Sequence, residues 1–446
     1  MRVRSTRVAT LAVFGAAAVA VAAAQAPQLP RPEPPLTVHE WGTFTSIAGE
    51  DGQAVRWLPQ GGQSDLPCFV ERGQFKGAIS GTVRMETPVL YFYSPRDVTV
   101  NVKVGFKNGL ITEWYPHAIT AQAWAGGAFD GTISWSDVNV SPVEVQAFPV
   151  EPGASHYYKA RNTDATPLRA GLQAEKFLFY RGVGQFAPPI AATVQSDGKI
   201  VVSTPGDTPI GDVILFENRR GAMAYDVRSL STGRATLDRP ALDDATVTPR
   251  RDLVRILVAH GLYRKEAEAM VDTWSDSWFE EGARLLYIAP RTAVDAIVPL
   301  TITPTPLDVA RVFVGRMELV TAVTRSDVRL ALATNDRRML QQYGRFLQPI
   351  GARVLADVSP LDRTLLADRL KAVTASWGKV YVLHADVRAM AIRERFDQHR
   401  PREVTDAIGQ HGQRLIDCHR IVAEHWEGRD AEHFRPFRDV VLGMAG

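Results

Sequence analysis

Asp97-Val-Thr-Val-Asn-Val-Lys-Val-Gly-Phe-Lys-Asn-Gly-Leu-Ile-Thr-Glu-Trp-Tyr-Pro-His117 is the stretch from which the fold is read. Val98, Val100, Val102, Val104 and Phe106 alternate with polar or small residues, the period-two pattern of a half-buried strand. Asn108-Gly109 is a strong hairpin signal, and Leu110 to Tyr115 supplies a second strand that Pro116 closes. The pattern predicts an antiparallel hairpin with a three-residue loop, Lys107-Asn108-Gly109. In that register Phe106 faces Leu110, Val102 lies beside Trp114, and Lys103 opposes Glu113 on the solvent face. Glu113 is then a surface ion-pair partner rather than a catalytic acid.

Strand-like segments continue on both sides: Val38–Ile47, Ala54–Leu58, Val83–Tyr93, Thr132–Val140, Val143–Val150, Ser155–Ala160 and Lys176–Arg181. Two more hairpins follow, Ile190–Gln195 with Lys199–Ser203 and Val213–Glu217 with Ala222–Val227. Strands at this spacing predict an antiparallel β-sandwich or barrel over residues 37–230, taken here as sandwich-like. A linker is expected at 231–249, because that stretch is polar and contains proline. A helical hairpin plus strands is expected over 250–320, and a helical domain over 321–446. The predicted fold class is therefore α+β and multidomain, with a β-sandwich-like N-terminal domain followed by a mainly α-helical C-terminal domain.

The N-terminus carries its own signal. Arg2, Arg4 and Arg7 precede an apolar run from Val8 to Val21, and Ala22-Ala23-Ala24 offers the small residues of a cleavage site. Residues 1–24 read as a signal peptide cut after Ala24, with an uncleaved anchor as the alternative, and 25–36 as a proline-rich tether. The expected location is periplasmic or secreted. Without Arg2, Arg4 and Arg7 the 51 basic residues become 48, against 49 acidic ones, so no basic footprint for nucleic acid is present. Cys68 and Cys418, far apart in the sequence, read as two buried thiols, with a disulfide as the alternative.

No Walker loop, dinucleotide fingerprint, nucleophile elbow or paired Cys-x-x-Cys occurs. His411, Cys418 and His425 sit seven residues apart, about 10.5 Å along a helix, too far to share one ion. They read as part of an apolar packing stripe, so neither metal nor other cofactor is expected. Trp274 and Trp278 read as an i, i+4 packing pair on a helix.

His39 and Glu40 interrupt a strongly apolar strand, and adjacent strand residues point to opposite faces. His39 shares its face with Trp41. The candidate catalytic residues are His39, Glu86 and His117, titratable groups set among large apolar neighbours. Trp41 and Trp114 are the candidate binding residues.

Val38-His-Glu-Trp-Gly-Thr-Phe-Thr45, Met85-Glu-Thr-Pro-Val-Leu-Tyr-Phe-Tyr93 and Trp278-Phe-Glu-Glu-Gly282 resemble a family of exported bacterial proteins without an assigned activity. The resemblance runs from about residue 37 to 320. It implies an exported protein in two parts and transfers no mechanism. The leading expectation for function is exported binding or scaffolding, with tryptophans and long loops contacting a polysaccharide or a protein partner. The alternative is a secreted hydrolase using carboxylate and histidine acid–base chemistry.

Overall fold

In the strand β1 (Thr37–Ile47) every residue after the first is buried, so the strand is covered on both faces and flanked on both edges. The computed structural model describes residues 35–60, 66–67, 69–73, 75, 79–125, 128–143, 147–151, 155–242 and 247–374. Further strands are β2 (Glu71–Arg72), β3 (Val83–Tyr93), β4 (Val98–Phe106), β5 (Gly109–Tyr115), β6 (Ile119–Ala125) and β7 (Ala128–Val140). Next come β8 (Leu168–Ala170), β9 (Gln173–Glu175), β10 (Leu178–Gly184), β11 (Ala191–Val194), β12 (Ile200–Ser203) and β13 (Ile210–Arg219). The last are β14 (Ala222–Leu230), β15 (Arg234–Leu237), β16 (Gly282–Ile288), β17 (Leu300–Thr303) and β18 (Asp308–Leu319). Helices are α1 (Arg250–Ala259), α2 (Arg264–Trp278), α3 (Arg291–Ile297), α4 (Ala322–Thr334), α5 (Arg337–Gln341) and α6 (Leu347–Ala356), and residues 360–374 are also helical.

A fifteen-stranded mixed sheet runs β14–β13–β16–β18–β1–β3–β10–β5–β7–β4–β17, with β2, β6, β8 and β9 attached off this path. A small second sheet holds β11, β12 and β15. β1 pairs antiparallel with β3 and parallel with β18, a partner some 270 positions later in the chain (Thr37 faces Asp308).

The expected division into a β-sandwich-like domain and a mainly helical domain is overturned. Strands take 41% and helices 27% of the described residues, and β16 and β18, which follow α1 and α2 in sequence, lie in the same sheet as β1, β3 and β13. Local periodicity shows which segments are strands, but long-range pairing decides which sheet they join. Of the C-terminal segments, α4–α6 and residues 360–374 are helical. The rest of the expected helical domain, residues 375–446, lies outside the described residues. So do the leader, most of the tether, Cys68, His411, Cys418 and His425.

The hairpin over 97–117 is also corrected. β4 pairs with β7 and β17, and β5 with β10 and β2. Val102 faces Trp135 and Lys103 faces Ser134. The turn is held by β7: Asp130 accepts the Asn108 N–H at 2.9 Å and the Lys107 ammonium at 2.8 Å, with Asn108 at φ 52°. β7 thus lies between the two strands in the sheet, which meets β5 only at Gly109 and Asp130. The strand expected at Ser155–Ala160 is a 3-10 helix, His156–Arg161.

Alternation along β1 explains the layers. Val38 and Phe44 enter a core with Val100, Val102, Val104 and Phe106 of β4 and Ile133 and Trp135 of β7, so the sheet curls over on this side. Trp41, on the other face, joins an aromatic core under α1 and α2. Ile47 and Trp57 pack with α4 and α6. Among the described residues no helix is long and apolar enough to cross a membrane.

Candidate functional site

His39, Trp41, Thr43 and Thr45 alternate onto one face of β1. Trp41 lies opposite Val89 on β3 and Val312 on β18, all within the aromatic core. One step on, the same face turns polar. Thr43 lies opposite Glu86, and Thr45 lies opposite both Arg84 and Arg316. Arg284 on β16 and Glu318 on β18 face one another, and Arg181 on β10 completes the row. All six of these charged side chains are buried in the sheet.

The change from apolar to polar coincides with a line of bulges. The β1/β3 pairing slips between Trp41 and Thr43, the β3/β10 pairing between Phe179 and Gly182, and the β10/β5 pairing between Arg181 and Gly182. Thr87 takes φ 45° there, and its hydroxyl accepts from Arg181 Nε and Nη2 at 3.2 and 3.0 Å. Bulges re-aim side chains and are concentrated near functional sites.

The charged layer is closed from above by the end of α2 and by the 3-10 turn Gly344–Phe346. Arg345 donates from Nη1 to Glu86 at 2.8 Å and from Nη2 to the Ser277 hydroxyl at 2.8 Å. Arg316 donates from Nη2 to Glu280 at 2.9 Å and to the Ser277 carbonyl at 3.2 Å. Both guanidinium groups lie over the Phe346 ring, at 4.1 Å for Arg316 and 5.3 Å for Arg345. Arg284 donates to Glu318 at 3.1 Å and to the carbonyls of Trp278, Glu280 and Glu281.

The two carboxyls nearest Arg345 are driven apart. Burial pushes Glu86 up, but Arg345, Arg84 and Arg181 together outweigh it and hold the carboxyl below its ordinary value. Glu280 is pushed up to about 7 by burial, which Arg316, Arg284 and Arg345 only partly offset. Glu280 still keeps 16% of its side chain exposed and Arg345 keeps 13%, so these two form the open edge of the layer. Burial and the like charge of Arg284 bring Arg316 down to about 10, which leaves it cationic at neutral pH. Among the described residues, Arg316 Nε, Arg316 Nη1 and Arg345 Nε are buried without a hydrogen-bond partner.

The sequence-derived candidates do not meet in one place. His39 Nδ1 lies 2.8 Å from Glu266 Oε2 on α2. Glu266 also accepts the Tyr93 hydroxyl and the Tyr263 N–H, both at 2.7 Å, and the rings of Tyr93 and Tyr263 flank the imidazole. This cluster ties α2 to β1 and β3. His117 is largely exposed and pairs with Glu71, which also accepts the Trp114 indole N–H at 2.8 Å. Glu86 lies in the charged layer, away from both. Trp41 and Trp114 are buried, so neither offers an exposed stacking platform. Glu40, on the opposite face from His39, is buried between Tyr180 and Arg311. Glu113 is buried rather than on the surface, and faces Arg181 and Arg72 across its neighbouring strands.

The residues missed from sequence are Glu266, Glu280, Glu318 and the arginines Arg181, Arg284, Arg316 and Arg345. A signal for two of them was present. Arg181 in β10 and Arg284 in β16 stand singly in strands that are otherwise apolar or small, where a solvent-facing charge would be flanked by a polar alternate residue. Among the described residues no group of three or more His, Cys, Asp or Glu is placed to hold a metal ion. No family model matches the chain, and no curated protein matches it.

Proposed function

We propose that the chain is an exported binding protein that encloses a polar group of its ligand in the charged layer under Gly344–Phe346. The ligand is a polysaccharide or a protein partner. The observation that carries this reading is the set of buried, unpartnered N–H donors on Arg316 and Arg345. Buried polar groups are nearly always hydrogen-bonded, and exceptions of this kind point to a missing partner. Trp41 and Trp114 are buried and supply no surface aromatic platform, which favours this layer as the contact instead.

A second reading is favoured by one specific observation, the opposite displacement of Glu86 and Glu280. A proton-bearing and an ionised carboxyl, both acted on by Arg345, are the kinds of group an acid–base hydrolase uses. That alternative assigns the acid to Glu280 and the base to Glu86, in place of His39 and His117.

Hydrogen exchange on the full chain tests the binding reading. Neutral and acidic oligosaccharides and peptides are compared for protection of residues 277–281 and 344–346. Protection there by some member of the panel is expected, and none across the panel overturns the reading. Turnover abolished by Glu280→Gln with binding retained would favour the hydrolase.

A further inference from the structure

We infer that the group seated in this layer is an oxyanion (a carboxylate or sulfate), held by Arg316 and Arg345. The inference rests on the binding reading above and names the chemistry of its ligand.

Three observations support it. First, the unpartnered groups around Arg316 and Arg345 are cationic donors: Arg316 Nε and Nη1 and Arg345 Nε. Two carboxylate oxygens nearby, Glu86 Oε1 and Glu318 Oε1, are also without a hydrogen bond within the geometric limits. The Thr43 and Thr45 hydroxyls are likewise without a partner within those limits, and Thr45 helps to hold the charge of Glu86. The guanidinium donors are the cationic members of this set and the ones an anionic guest would meet.

Second, the charge does not balance. Arg84, Arg181, Arg284, Arg316 and Arg345 stand against Glu86, Glu113, Glu280 and Glu318, five cations against four carboxyls, and Glu280 holds its proton up to about pH 7. A neutral hydroxyl would satisfy donors and leave the surplus cation buried. An oxyanion does both, because charge-assisted hydrogen bonds to guanidinium groups are the stronger kind.

Third, the arginines are already positioned. The Phe346 ring lies beneath both guanidinium groups, and Ser277 holds one nitrogen of each. A guest therefore meets fixed donors rather than mobile side chains. Glu280 and Arg345 are the members of the layer that keep contact with solvent.

The same chemistry is offered by a free ion and by the acidic group of a sugar chain, so three probes separate the sources. Tryptophan fluorescence of the full chain is titrated at constant ionic strength with sodium sulfate, with a galacturonate oligomer and with a neutral glucose oligomer. Saturable binding of sulfate or galacturonate is expected, weakened at least tenfold in Arg345→Gln and partly restored in Arg345→Lys. Tighter binding of the oligomer than of sulfate would identify the acidic sugar as the source; the reverse would identify the free ion. Ser277→Ala, which removes only the hydroxyl that orients Arg345, is expected to weaken binding several-fold and serves if Arg345→Gln does not fold. Binding of the neutral oligomer alone would overturn the oxyanion while keeping the enclosed polar seat. Equal responses to sulfate in wild type, Arg345→Gln and Ser277→Ala would also overturn the inference, and binding of none of the three would overturn both readings.

Discussion

Arg345 on the Gly344–Phe346 turn reaches a residue 259 positions earlier in the chain, bonding the buried carboxylate of Glu86 at 2.8 Å. One side chain thereby fastens the C-terminal helices to the middle of the sheet. Arg84 is the next charge to Glu86, at 4.0 Å. Removing Arg345 leaves the carboxylate buried with only the weaker compensation of Arg84, Arg181 and Thr45. Breaking a buried pair in this way costs about 3–5 kcal/mol. Arg345→Gln is therefore expected to lower unfolding free energy toward the lower end of that range, since Arg345 is slightly exposed. Glu86→Gln added to it should cost less than the sum of the two changes. Additive losses in urea denaturation would show that the two residues act independently.

Glu280 gives stability a pH dependence of opposite sign to that of Glu86. Its folded pKa is about 7, against a reference value of 4.5. Between those values the unfolded chain releases a proton that the folded chain keeps, so stability falls as pH rises. The loss is roughly 3 kcal/mol over the window and stops above about pH 7. Glu86, held low, contributes stability above its unfolded value that is lost as pH falls through its folded value. Urea denaturation at pH 5, 6, 7 and 8 should show the Glu280 slope in wild type and its absence in Glu280→Gln. Parallel curves for the two proteins would remove Glu280 as the source.

Sequence pattern located the strands well and their partners poorly. Val98 to Phe106 alternate as a strand should, and β4 covers those residues. The turn residues Asn108 and Gly109 suggested pairing with β5, but β7 takes that place through Asp130, which no short-range pattern encodes. The two hairpins with local turns, β11/β12 and β13/β14, formed as read. The site was half visible. The face shared by His39 and Trp41 could be read from alternation, whereas Glu86 was a candidate by residue type alone. Arg345 and Glu280 reach the site from a short turn and a helix end, and only tertiary structure brings them to Glu86.

Gly315 tests how closely β16 and β18 are packed. It faces Tyr287 in the register, and the Tyr287 ring lies over the glycine, where an added Cβ would come within 2.0 Å of Cζ. Tyr287 is buried and cannot swing into solvent. Gly315→Ala is expected to destabilise by about 1–3 kcal/mol, the ordinary cost of overfilling a core. Pairing it with Tyr287→Val should recover part of the loss, because the ring that clashes is gone. A neutral Gly315→Ala in thermal unfolding would contradict the contact.

His39 is expected to act as a structural anchor. Its Nδ1 meets Glu266, and the same carboxylate takes the Tyr93 hydroxyl and the Tyr263 N–H at the start of α2. A hydrogen bond to a charged group contributes ~1.5–3 kcal/mol, and Glu266 is fully buried. His39→Ala should therefore destabilise by about that amount and loosen the first turn of α2, visible as faster hydrogen exchange at residues 264–268. Trp41 separates His39 from Thr43 along the strand face, so the charged layer should be untouched. Sulfate affinity is expected to stay within about twofold of wild type once folding is complete. A general acid or base would behave differently, because its loss costs ~10²–10⁴ in rate while leaving stability little changed. Unfolding free energy and sulfate affinity measured on the same His39→Ala preparation decide the matter. Full stability combined with a large loss of affinity or turnover would return His39 to the functional site.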